Sequence, residues 1–547
     1  MTAAAGLAAP SLLLSSRVGR ADLVLRGATM FDGTGAPGRE VDVAVVGDRI
    51  SAIGPSLDAG ASEIDLRGLV LAPGFIDIHS HSDLSLLVEP RAESRIRQGI
   101  TTDVTGQDGS SILWSEAEAL DRDATYRDRY GFGLGFRDLD GFFRRLERTP
   151  ATINVASMVG HGSIRRLVVG AADRPATATE IDRMAGLVRD GLLQGAVGLS
   201  SGLEYTPGGF ATRDELVALA AELRGTGHPY ASHMRNEDDD LLSALEECLH
   251  VGWVAGVPVQ VSHLKAQGQR NYWKADAALA ILETARAGGL EVDFDRYPYV
   301  AYATGLSNLF PASARAGGTR AFLARLYDAE SASGLEAAAR SKVDLLGDWN
   351  SVQVSSTGPA TGWARGRRLG ELAQERGIDP YDLTLTLLSD ASGSVGMIGY
   401  GMSEENTARL LAHPLSMVCS DGGAYAPYGP LSQGSPHPRA YGSFPRLLGY
   451  YVRDTRALPL EQAIHKITGR PAQKLGLRDR GTIRVGAFAD LVAFDPGGVR
   501  DGATFDDPHR YPEGIAHVVV NGTVTLRESS HTGARAGRAI RGHGRPD

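Results

Sequence analysis

Two histidines separated by one residue, His79 and His81, are the first side chains whose types and spacing suggest chemistry. His79 ends the short apolar run FIDIH at 75–79, which has the composition of a β-strand. Side chains two residues apart in an extended chain point to the same side, so both imidazoles can approach one cation. Imidazole nitrogens are common ligands of zinc and related divalent ions. The His-Ser-His sequence therefore predicts a pair of metal ligands.

Further candidate ligands stand at the ends of other apolar runs, and the complete predicted set is His79, His81, Asp108, His233, His263 and Asp421. Three or four ligands satisfy one cation, whereas six suggest two cations about 3.5–4 Å apart. Imidazole and carboxylate ligands favour zinc, one or two ions, with manganese or cobalt as substitutes. Such an ion lowers the pKa of bound water towards 7 and polarises a carbonyl. A nearby carboxylate can carry the proton to the leaving amine, and Asp421 is the candidate for this shuttle.

A scaffold that gathers strand ends is needed to bring these residues together. Helical stretches such as DELVALAAELRGTG separate most of the short apolar runs, and this alternation predicts a parallel sheet. Eight runs predict an α/β fold of the (β/α)₈ TIM-barrel type, in which active sites lie at the C-terminal strand ends. An open, doubly wound sheet is the alternative. The runs are FIDIH (75–79), TTDVT (101–105), TINVASM (152–158), GAVGLS (195–200), PYASH (229–233), PVQVSH (258–263), EVDFD (291–295) and LSMVCS (415–420).

The two flanks of the barrel region are rich in β-forming residues between Gly, Asp and Pro breaks. They predict a small β-sandwich domain built from both chain ends, residues 21–72 and 482–530. The barrel would then occupy 73–481, with a long insertion at about 300–410 that could cover the barrel mouth. The uncharged start of the chain predicts a flexible tail at 1–20. The basic segment 531–547 predicts a solvated or loosely docked C-terminal tail.

The composition limits the classes of partner. The 547-residue chain carries a net charge of −9, which argues against a nucleic-acid partner. No apolar run approaches the roughly 20 residues that cross a bilayer, so we expect no membrane contact. Only Cys248 and Cys419 are present, which excludes a disulfide framework and fits a reducing cytoplasm. The oligomeric state is left open.

An ordered series of motifs resembles the amidohydrolase superfamily and, within it, the N-acyl-D-amino-acid deacylases (D-aminoacylases). The resemblance spans about residues 20–535, and its motifs include PGFIDIHSHSD, GAVGLSSGLEYTPG, ASHMRNE, VSHLK, DFDRYPY and CSDGG. It implies metal-dependent hydrolysis of N-acyl-D-amino acids, with an acylated amino acid as the partner. It also implies that His79, His81 and Asp421 hold one metal and that His233 and His263 hold the other.

The same resemblance implies four substrate-binding residues. Lys265 and Tyr297 match positions that bind the substrate α-carboxylate, which an ammonium and a phenol can share. His161 and Arg439 resemble positions of the substrate pocket.

One departure from the family pattern concerns the ligand that bridges the two metals. Where these deacylases carry Asn-Cys-Gly, this chain has Gln107-Asp108-Gly109. A carbamylated lysine, the bridge of many other amidohydrolases, is excluded because the first lysine of the chain is Lys265. Asp108 is therefore the predicted bridge, with Glu204 as the alternative. Carboxylate is a harder ligand than thiolate, so we expect looser metal binding than in Cys-bridged relatives.

Other functions remain as alternatives. A hydrolase of cyclic amides, of the hydantoin or dihydropyrimidine type, usually depends on the bridging lysine that this chain lacks. A hydrolase of a specialised natural-product amide could use the long insertion for recognition. A non-catalytic scaffold would typically lose the metal ligands, and this chain retains them.

Overall fold

The computed structural model describes residues 20–543. The predicted tail at 1–20 lies outside the described residues apart from Arg20, and so do residues 544–547 of the predicted C-terminal tail. In chain order the strands are β1 (Leu23–Met30), β2 (Arg39–Val46), β3 (Arg49–Gly54), β4 (Ser62–Asp65), β5 (Val70–Pro73), β6 (Phe75–Asp77), β7 (Ile100–Thr105), β8 (Asn154–Ser157), β9 (Val159–Gly160), β10 (Leu199–Gly202), β11 (Tyr230–His233), β12 (Val259–Val261), β13 (Val292–Arg296), β14 (Ala301–Gly305), β15 (Val352–Ser356), β16 (Gly396–Tyr400), β17 (Ser416–Val418), β18 (Leu491–Phe494), β19 (Ile515–Val520), β20 (Thr523–Arg527) and β21 (Ser530–His531).

The helices follow the same chain order. They are α1 (Ser85–Val88), α2 (Glu93–Ile96), α3 (Glu116–Tyr130), α4 (Leu139–Arg148), α5 (His161–Val168), α6 (Ala178–Leu193), α7 (Arg213–Ala220), α8 (Leu241–Ala255), α9 (Lys274–Ala287), α10 (Thr319–Arg325), α11 (Ala332–Leu346), α12 (Leu369–Arg376), α13 (Pro380–Asp390), α14 (Glu404–Ala412), α15 (Arg439–Arg446), α16 (Leu460–Ile467) and α17 (Gly469–Lys474). Among these helices, none combines the length and apolar character needed to span a bilayer.

The eight predicted apolar runs form the parallel strands of a central barrel, which confirms the predicted fold class. The strands are β6, β7, β8 continued as β9, β10, β11, β12, β13 and β17, hydrogen-bonded as a three-stranded and a six-stranded sheet. Along each strand the side chains alternate between two apolar clusters. Phe75 and Val155 pack in the cluster that contains the surrounding helices, and Ile76 and Ala156 pack in the second cluster.

The first and last barrel strands meet at the C-terminal rim rather than along a continuous ladder. Ser80 and Gly422 form a parallel bridge. Next to it, the Asp421 N–H donates to the His79 carbonyl and the His81 N–H donates to the Gly422 carbonyl, both at 2.9 Å. These bonds join the chain segments that follow β6 and β17, and three of the predicted metal ligands belong to these segments.

Strands from both flanks of the chain form the second domain. They make one nine-stranded sheet in the order β21-β20-β19-β18-β5-β1-β2-β3, with β4 paired to β1. The link between the flanks is the antiparallel pair β5–β18. Small and branched apolar side chains, including Val43, Ile50, Leu491 and Val519, form the core that this sheet encloses.

The insertion at about 300–410 is a folded unit. Its strands form the antiparallel sheet β14-β16-β15, and helices α10 to α13 accompany that sheet. Tyr302, Ala303 and Thr304 of β14 line a cavity at the barrel rim. The insertion therefore contributes directly to the wall of the candidate site.

The described part of the predicted C-terminal tail, 531–543, is docked rather than solvated. The N–H groups of Gly537, Ile540 and Gly542 donate to carbonyls of the barrel region at 2.8–2.9 Å. Arg541 forms ion pairs with Asp140 at 2.9 Å and Glu147 at 3.0 Å. The basic side chain of Arg541 thus pairs with two acidic residues of α4. The composition of the segment alone does not reveal this contact.

Candidate functional site

The six predicted metal ligands come together at the C-terminal rim of the barrel. His79 and His81 follow β6, Asp108 follows β7, His233 ends β11, His263 follows β12 and Asp421 follows β17. Parallel strands bring their C-terminal ends to one edge, so residues up to 342 positions apart become neighbours.

Asp108 lies at the centre of the four imidazoles. Its Oδ1 is 3.3 Å from His79 Nε2 and 3.5 Å from His263 Nε2. Its Oδ2 is 3.4 Å from His81 Nε2 and 3.7 Å from His233 Nδ1. Each carboxylate oxygen therefore faces one ring nitrogen of the His79/His81 pair and one of the His233/His263 pair, so the carboxylate lies between the two pairs.

Asp421, which follows the last barrel strand, lies beside the same imidazoles. Its Oδ1 is 3.1 Å from His81 Nε2 and 3.7 Å from His79 Nε2. Its Oδ2 accepts a hydrogen bond of 2.7 Å from Arg439, and both residues are buried. One oxygen of Asp421 thus faces the imidazoles while the other is held by a guanidinium.

The donor set fits a divalent cation. Within residues 20–543, three buried atoms of the cluster form no hydrogen bond. They are the two ring nitrogens of His79 and Oδ1 of Asp108. Buried polar atoms without partners are costly, and they are rare unless a ligand satisfies them. Ligand atoms of His79, Asp108, His263 and Asp421 lie within 4.8 Å of one another, as do those of His233, Glu237 and His263.

Three carboxylates stand behind the imidazoles, at the nitrogens that point away from Asp108. Asp295 is 3.3 Å from His79 Nδ1, Glu237 is 3.0 Å from His263 Nδ1, and Glu204 is 3.1 Å from His233 Nε2. A carboxylate at the outer nitrogen fixes the tautomer of a metal-binding histidine and orients its ring. The inner nitrogens, which face Asp108, are Nε2 for His79 and His263, and Nδ1 for His233.

Three of the candidate ligands have a strained backbone conformation. Asp108, His263 and Asp421 have φ values of 52°, 33° and 50°, in the left-handed region. Such conformations cost about 1–3 kcal/mol and persist where the surrounding structure requires them. Aspartate tolerates this region better than most residues, which suits two of the three positions.

The electrostatics of the cluster keep the carboxylates ionised. Burial opposes ionisation, but the imidazoles around Asp108 and the guanidinium of Arg439 beside Asp421 lower the pKa of both carboxyls. Burial also opposes the charged imidazoles, yet the nearby carboxylates raise the pKa of His81 to about 9 and that of His233 to about 10. The carboxylates therefore favour positive charge among the imidazoles. A bound cation would supply this charge in place of protons.

The cluster opens into a cavity of about 320 Å³. Lys265, Tyr297 and Arg439 line it beside the candidate ligands. The Tyr297 hydroxyl is buried and has no hydrogen-bond partner within the described chain. The Lys265 ammonium is 2.5 Å from Glu237 Oε1 and 2.6 Å from His263 Nδ1. Three of the four predicted substrate-binding residues thus share one cavity with the candidate ligands.

Two other predicted site residues are placed differently. Glu204, the alternative bridge, contacts the outer nitrogen of His233, whereas Asp108 occupies the position among the four imidazoles. His161 is buried, and its Nε2 is 2.8 Å from Glu215 Oε1. The cavity is lined by its neighbours Gly162 and Ser163, not by His161 itself. The structure therefore does not bring His161 into contact with the cavity.

Sequence reasoning assigned no role to Glu237 and Asp295. Both belong to motifs of the resemblance, ASHMRNE and DFDRYPY, and both are acidic residues at or just after barrel strands. A carboxylate so close to the end of a buried strand is a signal that could have identified them.

Comparisons with known proteins identify the family of this chain. A model described as "Amidohydrolase family" matches residues 62–526. The chain is 37% identical to the D-aminoacylase of Alcaligenes xylosoxydans xylosoxydans over 527 residues, which cover 95% of this chain and 97% of that protein. A D-aminoacylase structure with a binuclear metal centre has a TM-score of 0.79 and 36% identity, covering 95% of this chain and 100% of the other.

A second similar structure contains a ligand. The N-acyl-D-glutamate deacylase of Bordetella bronchiseptica, complexed with zinc and a phosphonate mimic of the tetrahedral intermediate, has a TM-score of 0.80 and 33% identity. The alignment covers 96% of this chain and 100% of that one.

Proposed function

This chain is a member of the amidohydrolase family, and we propose that it hydrolyses N-acyl-D-amino acids to a D-amino acid and a carboxylate. The observation that carries the proposal is the position of Asp108, within 3.3–3.7 Å of four imidazole nitrogens beside a cavity with an ammonium, a phenol and a guanidinium. Three relatives that align with 95% of the chain are named D-aminoacylase, N-acyl-D-glutamate deacylase and N-acyl-D-aspartate deacylase, which supports this substrate class.

Zinc, as one or two ions, is the proposed cofactor. His79, His81 and Asp421 would hold one ion, His233 and His263 the other, and Asp108 would bridge them. When bound, a divalent ion supplies hydroxide from water at neutral pH and polarises the amide carbonyl. Manganese or cobalt would substitute readily, because a carboxylate bridge discriminates less strongly for soft ions than a thiolate bridge.

The cationic side of the cavity orients the substrate. Tyr297 offers a hydroxyl that has no hydrogen-bond partner among residues 20–543, and Lys265 and Arg439 supply positive charge around it. Arg439 also lies over the Tyr297 ring, with its guanidinium carbon 4.8 Å from the ring centroid. An α-carboxylate bound here would hold the scissile amide towards Asp421 and the imidazoles, which limits the productive orientations.

Asp421 is the proposed proton carrier. Its Oδ1 faces the imidazoles, and Arg439 holds Oδ2, so the carboxylate is ionised and fixed in direction. In this position it can accept the proton of the attacking water and deliver it to the leaving nitrogen. We also propose a cytoplasmic location, which the two buried free cysteines support.

The test compares zinc-loaded protein on N-acetyl-D-methionine, N-acetyl-L-methionine and a hydantoin. We expect hydrolysis of the D substrate alone. Turnover of the hydantoin would instead indicate a cyclic-amide hydrolase. Zinc binding without turnover of any of the three would favour a specialised natural-product amide, and protein that binds no zinc after careful preparation would favour a scaffold.

A further inference from the structure

A lysine of the insertion reaches the region behind the metal ligands. Lys342 lies on α11, and its side chain is 17% exposed. Its ammonium is 2.6 Å from Asp238 Oδ2 and 3.8 Å from Glu204 Oε1. Both acidic residues belong to barrel loops, one after β11 and the other after β10. Lys342 therefore connects the insertion to two of the loops that surround the candidate cation site.

Glu204 links this lysine to a ligand. Its Oε2 is 3.1 Å from His233 Nε2, on the opposite side of the carboxylate from the oxygen near Lys342. The other nitrogen of the same ring, His233 Nδ1, is 2.9 Å from His263 Nε2 and 3.7 Å from Asp108 Oδ2. A proton on Nε2 shared with Glu204 leaves the Nδ1 lone pair directed towards the cation site.

A second residue of the insertion holds the backbone of Glu204. Arg315 donates through Nη2 to the Glu204 carbonyl at 2.8 Å, and its Nη1 donates to Asn308. The insertion thus contacts Glu204 at both its main chain and its side chain. Without these contacts, a glutamate that lines the open cavity could rotate away from His233.

We propose that the insertion positions the metal ligand His233 through Lys342 and Glu204. This inference rests on the proposed function only in that it requires a cation at the four imidazoles. Lys342 and Glu204 are positioning residues, since neither is placed among the ligands. It follows that docking of the insertion sets the affinity of the barrel for the ion at His233 and His263, in addition to covering the cavity.

The experiment measures zinc affinity directly, by competition with a chelator of known affinity, and the absorption spectrum of the cobalt-loaded protein. Lys342→Met removes the charge with little change of length, and Glu204→Gln removes the charge that faces His233. We expect each variant to bind the ion at His233 and His263 about 10- to 100-fold less tightly, as for other partners of metal-binding histidines. The cobalt spectrum should also change, because the ring of His233 is no longer fixed.

Two controls separate positioning from general stability. Arg340→Met removes a charge from the same helix at an ion pair with Glu336 and Asp379, remote from the ligands, and should leave zinc affinity unchanged. Lys342→Arg should restore most of the lost affinity. Wild-type affinity in Glu204→Gln would overturn the proposal even if Lys342→Met failed to fold. Wild-type protein that binds no zinc would contradict the proposed function instead.

Discussion

Two clusters of buried charge lie near the same barrel strands, and they differ in how completely their polar atoms are paired. In the first cluster, Arg95 donates to Asp103 at 2.9–3.3 Å, to Ser420 at 3.0 Å and to Asp77. Asp77 also accepts from the Ser420 N–H at 2.9 Å. In the second cluster, at the rim, His79 and Asp108 keep buried atoms without a hydrogen-bond partner among the described residues.

The difference shows how buried charge separates into structural and functional roles. A buried ion pair with every hydrogen bond made connects chain segments, because breaking it leaves a charge in an apolar environment. A buried cluster with several carboxylates and imidazoles but incomplete pairing is stable only when a further charge completes it. We therefore expect changes to the Arg95 cluster to affect folding and changes to the rim cluster to affect catalysis and metal binding.

The largest expected effect is at Asp421. Asp421→Asn keeps the shape of the side chain but removes the group that accepts and returns the proton. We expect kcat for the D substrate to fall about 10³- to 10⁴-fold, while circular dichroism shows the wild-type secondary structure. A kcat within tenfold of the wild type would remove Asp421 from the mechanism.

The next largest effect is expected for a variant that breaks the paired cluster. Arg95→Met leaves Asp77 and Asp103 buried without their cation, so we expect the free energy of unfolding to fall by about 3–5 kcal/mol. Urea denaturation measures this free energy of unfolding. The matched control is Arg91→Met, which loses only the partly exposed ion pair with Glu93 and should cost less than about 1 kcal/mol. Equal losses in the two variants would contradict the contrast between the clusters.

A smaller effect is expected when the ligand type of the proposed bridge, Asp108, is changed. Asp108→Cys replaces a hard carboxylate by a soft thiolate, and we expect zinc to resist chelator about tenfold better, which corresponds to about 1.4 kcal/mol. The gain is limited because Asp108 has φ 52°, a conformation that cysteine tolerates less well. Competition with chelator measures the change; Glu204→Cys should instead weaken zinc binding, because His233 loses the carboxylate at its Nε2. Unchanged or weaker zinc binding in Asp108→Cys would argue against the bridge.

The smallest effect concerns a buried cation outside both clusters. Burial, followed by repulsion from Arg470, lowers the pKa of Lys466 to about 7, while the unfolded chain keeps the ordinary value near 10.5. Between these values the unfolded state binds more protons, so stability rises with pH and falls as the pH drops towards 7. We expect a gain of about 1 kcal/mol from pH 7 to pH 8. Urea denaturation at the two pH values should show a smaller gain in Lys466→Met; an identical gain would assign it to other groups.

Much of this molecule could be predicted because its signals are local. The eight barrel strands are short apolar runs, and the ligands are His and Asp residues at their ends, so strand polarity alone brings them to one rim. His161 could not be placed in this way, since the contact of its ring with Glu215 joins residues that are 54 positions apart in the chain. The docking of 531–543 likewise depends on carbonyls of distant strands and loops.

By itself, the sequence determined the fold class, the contribution of both flanks to the second domain, and the chemical types of the ligands, because periodicity and residue chemistry act over a few neighbouring positions. Only the tertiary structure decided that Asp108 stands among the imidazoles, that Glu204 stands behind His233, and that Lys342 of the insertion reaches Glu204. These arrangements depend on the paths of loops that are far apart in the chain, where a displacement of a few ångströms changes which atoms are in contact.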